Sequence, residues 1–250
     1  MLSHPDIPGI KICPTSAEAV PLDFEIRDAP APPPSVAPAI ETIWRTHLSK
    51  NPRLYDGPLL LAASNLPALP GRILVRSSYK LHLCIPSDEL RCVGVQGIII
   101  GRDAASVPHL LLGRRSSDVR IYQGLWENAP SGTLPAPPPP ADRIDQSHFI
   151  NALLDEGIEE LGLDLSSARI RFVALLEDDA ARSLDAMLRF DLTDPINPRS
   201  VPCPTSANRW EYADTAWVPI TQLAAWVRTN THAISPPTLA LLRWMVAEIA

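Results

Sequence analysis

Two proline-rich stretches set the outer limits on what this chain can fold into. DAPAPPPSVAP, residues 28–38, and the run that holds Pro135 and Pro137 to Pro140 fix φ and remove backbone donors too densely for a helix interior or a central strand. Each reads as an extended connector or an arm lying on the surface. Proline supplies 28 of the 250 residues, about twice its usual ~5%. Glycine supplies only 11, so stiff loops are expected. With 46% apolar and 20% charged residues, the composition is that of a globular chain, long enough for one large domain or a core domain with an extension.

Charge and cysteine usage then remove function classes. Twenty-two Lys and Arg against 28 Asp and Glu give a net charge of −6, which argues against a nucleic-acid partner recognised through its phosphates. Cys13, Cys84, Cys92 and Cys203 stand far apart with no CxxC pair. Neither a zinc knuckle nor a disulfide framework is indicated, and a reduced, cytoplasmic setting is expected. The most apolar run, Val93 to Ile100, is far short of the roughly 18–20 residues that cross a bilayer. The N-terminus shows no basic start followed by a long apolar stretch, so no membrane partner and no secretory signal are expected. GxSxG, GxxxxGK[ST] and GxGxxG are absent, which removes several other enzyme classes.

Periodicity sketches the elements. Residues 39–50 carry apolar side chains at helical spacing, NPRLYDGP reads as a turn, and a strand follows at Leu59–Ala63. Strands at Ile73–Ser77 and Lys80–Ile85 complete a small α/β extension, residues 1–88, ahead of a main domain over 89–250. There CVGVQGIII and HLLLG form a hairpin-like strand pair across GRDAASVP, and GLWENAP is a third apolar patch. One long amphipathic helix is expected from Ser147 to Leu161, ended by Gly162. Strands at Ile170–Leu176, Ala186–Asp191 and Tyr212–Pro219 follow, then a short helix at Thr221–Arg228 and a last helix opened by Ser235-Pro236-Pro237. Strands on both sides of a central helix imply an α/β (α+β) fold, a mixed sheet sandwiched between helices.

The long helix has an unusual charge pattern. At 100° per residue, Ile150, Leu153, Leu154, Gly157, Ile158 and Leu161 share one face, while Glu156, Glu159 and Glu160 gather nearly opposite. Like charges at this spacing cost a few tenths of a kcal/mol per pair, and the macrodipole adds roughly 0.3–1 kcal/mol for each anion in the last turn. Such clusters are usually a solvated face. An oxygen-loving divalent cation, Mg²⁺ or Mn²⁺, reverses both effects.

Context favours the cation. DEGIEELGL, Asp155 to Leu163, resembles the second half of the Nudix box, Arg-Glu-apolar-x-Glu-Glu-x-Gly-apolar, at five of its seven specified positions. The strand pair CVGVQGIII and HLLLGRR and the turn YQGLWENAPSG, Tyr122 to Gly132, look like the segment that leads into that box. IWRTHLSKNPRLYDGP, Ile43 to Pro58, is similar to the N-terminal extension of the branch related to UDP-sugar (UDP-glucose) pyrophosphatases. Three positions depart from the pattern. Asp155 replaces its arginine, Ser147 stands at its upstream glutamate, and Gly157 replaces an apolar residue. The loop before the helix is also longer, with fourteen residues between Gly132 and Ser147. Gly157 costs about 0.5–1 kcal/mol of helix stability relative to Ala and so implies close packing against a strand.

The resemblance implies a Nudix fold and a pyrophosphohydrolase that uses Mg²⁺ or Mn²⁺ to cleave the diphosphate of a nucleoside diphosphate linked to another group. A nucleotide sugar such as UDP-glucose, giving UMP and sugar 1-phosphate, is the first choice. A binding module with impaired catalysis, and a hydrolase of another linked diphosphate such as ADP-ribose, are the alternatives. It implies Glu159 and Glu160 as metal ligands, Glu156 as a ligand or proton acceptor, and the Gly132 carbonyl as a further ligand. Arg114 and Arg115, at a strand end, place guanidinium forks for the diphosphate, although surface charge is the plainer reading of such arginines. Trp126 reads as core, and Asp178 and Asp179 as a turn. The expected partner is a small-molecule nucleotide, bound by a monomer or a homodimer.

Overall fold

The computed structural model describes residues 2–3, 7–14, 23–63, 73–85, 89–200, 202 and 210–249; Cys203 and His4 lie outside them. The N-terminal segment holds β1 (Leu2–Ser3), β2 (Ile10–Pro14), β3 (Asp23–Asp28), α1 (Ala37–Lys50), β4 (Pro58–Ala63), β5 (Ile73–Ser78) and α2 (Tyr79–Cys84). The central part follows with β6 (Leu90–Arg102), β7 (Pro108–Arg115), β8 (Trp126–Asn128), β9 (Ser131–Thr133), β10 (Arg143–Asp145) and α3 (Gln146–Leu161). Last come β11 (Arg169–Asp178), β12 (Ser183–Asp191), β13 (Tyr212–Pro219), α4 (Leu223–Asn230) and α5 (Pro236–Ile249).

Strand β6 is the hub. Its run of apolar residues is buried almost throughout, as a strand covered on both faces must be. Val93, Val95 and Ile99 enter the core shared with Phe149, Leu153 and Leu161 of α3. Ile98 and Ile100 point the other way, into the core formed with α4 and α5. Strand β7 alternates in the same fashion, with Leu111 on the α3 side and Leu110 and Leu112 on the other. The architecture is thus mixed α+β, with helices on both faces of a mixed sheet.

Register places the later residues of interest. Strand β6 runs parallel to β12, Gly94 opposite Asp185, and antiparallel to β9, Val95 opposite Gly132 and Gln96 opposite Ser131. Strands from the first 88 residues join the same sheet: β4 pairs with β6 and β2 with β11. Among the described residues, thirteen strands form this one sheet.

One expected element is corrected. Lys80–Ile85 is not a strand: Tyr79–Cys84 is a helix whose N-cap, Ser78, accepts from the Leu81 amide. The alternation of KLHLC is too short to separate the two periods, and packing on α1, through Ile40 and Trp44 against Cys84, decides for the helix. Cys13, Cys84 and Cys92 are free thiols. Among the described residues, no helix is long and apolar enough to cross a membrane.

Candidate functional site

Helix α3 is held at both ends. Asp145 caps its start, accepting from the Ser147 amide at 2.9 Å while His148 reaches back to the Asp145 amide. At the other end Gly162 takes φ +64°, and the Leu163 amide returns to the Gly157 carbonyl at 2.9 Å. Gly157 is needed for close approach, though not to a strand. A Cβ there would lie 2.8 Å from Leu165 Cδ1, in the segment that follows the helix.

The helix is rotated from the expected orientation. Ile158, placed on the apolar face by periodicity, is 56% exposed, whereas Glu160 is 3% exposed. The buried stripe is Phe149, Leu153, Gly157, Glu160 and Leu161, an equally regular i, i+3, i+4 set. What admits a carboxylate there is β9: the Ser131 amide donates to Glu160 Oε2 at 2.9 Å. The other oxygen, Oε1, is buried without a hydrogen-bond partner.

Three carboxylates meet around this point. Glu211, the residue just ahead of β13, lies close enough for its charge to act on Glu160. Glu156 presses its Oε1 onto Gly132, where a Cβ would stand only 2.0 Å away, so a glycine in β9 is what leaves room for the carboxylate. Burial first, then Glu211, Glu159 and Asp155, push the Glu156 carboxyl up to about 8. Burial, and after it the Glu211 and Glu156 charges, hold Glu160 well above the usual carboxylate range. Glu211 is raised by burial. Glu159 is exposed and stands where the cavity opens. Among the described residues no three His, Cys, Asp or Glu side chains form a ready-made metal cluster. The donors nevertheless suit a hard cation, being oxygen atoms only, mutually repelling as anions, with one buried oxygen unpartnered.

The arginines separate. Arg115 lines the cavity, donating from Nε to the Ile121 carbonyl at 2.9 Å and from its fork to Glu127. Arg114 does not reach the cavity; it is exposed and donates to the Gly124 carbonyl at 3.1 Å. Successive residues of a strand point to opposite faces, so one of the pair had to turn away. Trp126 packs edge-on to Trp226, with ring centroids 6.0 Å apart, beside the α4–α5 core.

The cavity measures about 570 Å³, within the range of small-molecule sites. Besides the glutamates it is lined by Gln96, Arg120, Tyr122, Asp178 and Asp185, and by Arg53, Tyr55 and His82 from the N-terminal segment. Asp178 is part of this lining as well as of a turn, since its carboxylate accepts from the Ala180 and Ala181 amides and from the Tyr122 hydroxyl. Glu211, Glu127, Asp185 and Gln96 escape sequence reasoning because each is isolated in its own segment. A lone acid or amide within an apolar strand, as at Asp185 and Gln96, was the one available signal.

Comparison in three dimensions finds similar arrangements. A protein from Deinococcus radiodurans shares 14% identity over 74% of this chain and 97% of its own, with a TM-score of 0.48. RenU, a Nudix hydrolase from M. smegmatis, shares 17% over 64% of this chain and 88% of its own, at 0.41. The Nudix domain of Shewanella oneidensis NrtR, crystallised with ADP ribose, shares 14% over 70% of this chain and 100% of its own, at 0.43. No family model and no curated protein matches the chain.

Proposed function

We propose that this chain is a divalent-metal-dependent hydrolase of the diphosphate linkage in a nucleoside diphosphate joined to another group, with a nucleotide sugar such as UDP-glucose as the preferred substrate. The observation that carries the reading is the meeting of half-buried Glu156 and Glu211 with the buried Glu160, whose Oε1 is left unpartnered. Burying like charges together is costly unless a cation neutralises them. Glu156, Glu160 and Glu211 would hold Mg²⁺ or Mn²⁺, with Glu159 at the opening and the Gly132 carbonyl alongside. A divalent ion held there would supply charge neutralisation at the phosphate oxygens and a more acidic water.

The chain's own groups do the rest. Arg115, fixed in direction by Glu127 and the Ile121 carbonyl, offers a preset positive charge to the diphosphate. Water adds to one phosphorus, the bridging P–O bond breaks, and the proton of the water passes to a glutamate, a role for which the motif makes Glu156 the candidate in place of metal ligation. In the test, purified protein is incubated with UDP-glucose or ADP-ribose and Mg²⁺. Release of the nucleoside monophosphate is expected. Cleavage no faster than by the Glu159→Gln, Glu160→Gln double variant overturns the proposal.

A second reading, a nucleotide-binding module without turnover, draws on Asp155 in the place of the motif's arginine. It predicts that UDP-glucose raises the melting temperature while no phosphate product forms.

A further inference from the structure

The glutamates occupy only part of the cavity. On its sheet floor, β6, β11 and β12 bring Gln96, Asp178, Ser183 and Asp185 together, and α2 adds His82. Asp178 is fully engaged by the Tyr122 hydroxyl at 2.7 Å and two backbone amides. Asp185 is 7% exposed. Its Oδ2 receives the Ser183 hydroxyl at 2.8 Å and the Gln96 amide at 3.4 Å, while Oδ1 lies over Gly94, where a Cβ would stand 2.0 Å away. Gly94 thus does for Asp185 what Gly132 does for Glu156. The two places adjoin, since the same Cβ position is 3.1 Å from the Gly132 carbonyl.

Two polar atoms here are left over. Gln96, 9% exposed, has no partner for Oε1, and His82, 4% exposed, has none for Nδ1. Burial, then the charges of Arg182, Arg120 and Arg91, hold His82 neutral, its pKa lowered to about 4, so one ring nitrogen is an acceptor. Of the unpartnered atoms at this end, Gln96 Oε1 and His82 Nδ1 belong to residues that line the cavity, while the unpartnered Nε atoms of Arg91 and Arg182 belong to residues outside the lining; the lining therefore offers an acceptor, Gln96 Oε1, beside the Asp185 carboxylate. A phosphate would meet Asp178 and Asp185. An amine would meet, at His82, the charges of Arg182, Arg120 and Arg91. A neutral group rich in hydroxyls meets neither obstacle, and the exposed Arg120, with no ion-pair partner among the described residues, can donate to its oxygens.

We infer that Gln96, Asp185 and His82 form a subsite for a neutral polyhydroxylated group, the sugar of a diphosphate-linked substrate, whose hydroxyls donate to Gln96 Oε1 and the Asp185 carboxylate. This rests on the reading of the neighbouring glutamates as a diphosphate site. It makes Gln96 a specificity-determining residue, because a site that pairs its buried polar groups with substrate hydroxyls discriminates against analogues that lack them.

The test is calorimetric binding to the full chain with Mg²⁺, using methylene-bridged UDP-glucose and methylene-bridged UDP, neither of which can be cleaved at the bridge. The sugar compound is expected to bind at least about tenfold more tightly. In Gln96→Met and Asp185→Asn that advantage falls below about threefold, with affinity for the sugarless compound kept within about twofold. An advantage absent in the wild type, or retained in both folded variants, overturns the subsite. Should neither variant fold, 2-deoxy and 3-deoxy sugar analogues decide with the wild type: unchanged affinity for both overturns it, and a loss of about fivefold or more for either supports it. A sugar advantage with no cleavage of UDP-glucose itself sinks the hydrolase and leaves the subsite. Cleavage without the advantage does the reverse.

Discussion

Glu127 and Glu160 are almost equally hidden from water, 5% and 3% exposed, yet their surroundings are opposite. Glu127 Oε1 collects the Arg115 guanidinium, the Tyr212 hydroxyl at 3.0 Å and the Ser131 hydroxyl at 3.2 Å. Glu160 has one backbone amide, an unpartnered oxygen, and two further carboxylates for company. The first is a charge whose shell the protein completes for itself. The second is a charge left for something from outside to complete. Burial alone therefore does not mark a functional acid; the count of its partners does.

Substitution should break this contrast in opposite directions. Glu160→Gln is expected to lower turnover by at least about 100-fold, more than the 10–100-fold typical when only a supporting group around a metal is lost, while raising the melting temperature of metal-free protein at pH 8. Glu127→Gln unpairs Arg115 and should cost on the order of 3–5 kcal/mol of stability, read as a fall in denaturant midpoint. Equal losses of stability in the two variants would erase the distinction. Gly132→Ala drives a methyl into the Glu156 carboxylate and should reduce turnover about 10- to 100-fold, with little change in the melting curve.

pH sharpens the comparison further. The Glu156 carboxyl is raised from 4.5 to about 8, so the folded state binds its proton more tightly than the unfolded chain. That contribution to stability is complete below about pH 4.5 and is lost as pH rises to about 8. Glu160 and Glu211 shift the same way, and the anions facing them are Glu156, Glu159, Glu127 and Asp155, with Arg115 opposing. Melting scans of EDTA-treated protein should therefore show a falling midpoint between pH 5 and pH 8, and added Mg²⁺ should flatten it. A flat EDTA profile would count against the crowding. The smallest effect is expected at Arg114→Ala, within about 0.5 kcal/mol in stability and without change in turnover, against the marked loss at Arg115→Ala.

Local physics made α3 legible. Gly162 ends the helix because its left-handed φ is cheap only for glycine, and Glu156, Glu159 and Glu160 are neighbours in any helix with this spacing. The runs of β6 and β7 announced strands by composition and length. KLHLC misled, because its alternation over a few residues fits either period until α1 lies against it. Arg114 and Arg115 looked equivalent, and only the pleat of β7 sorted one into the cavity.

What the sequence determined by itself was whatever depends on residues a few positions apart: the helix, its ends and the crowding of three acids. Tertiary structure alone decided that Glu160 and not Ile158 turns inward, that Glu211 completes the cluster, and that Gln96, Asp185 and His82 face one cavity. A side chain's burial and its hydrogen-bond partners are supplied by elements far away in the chain, and no local pattern encodes which of them arrive.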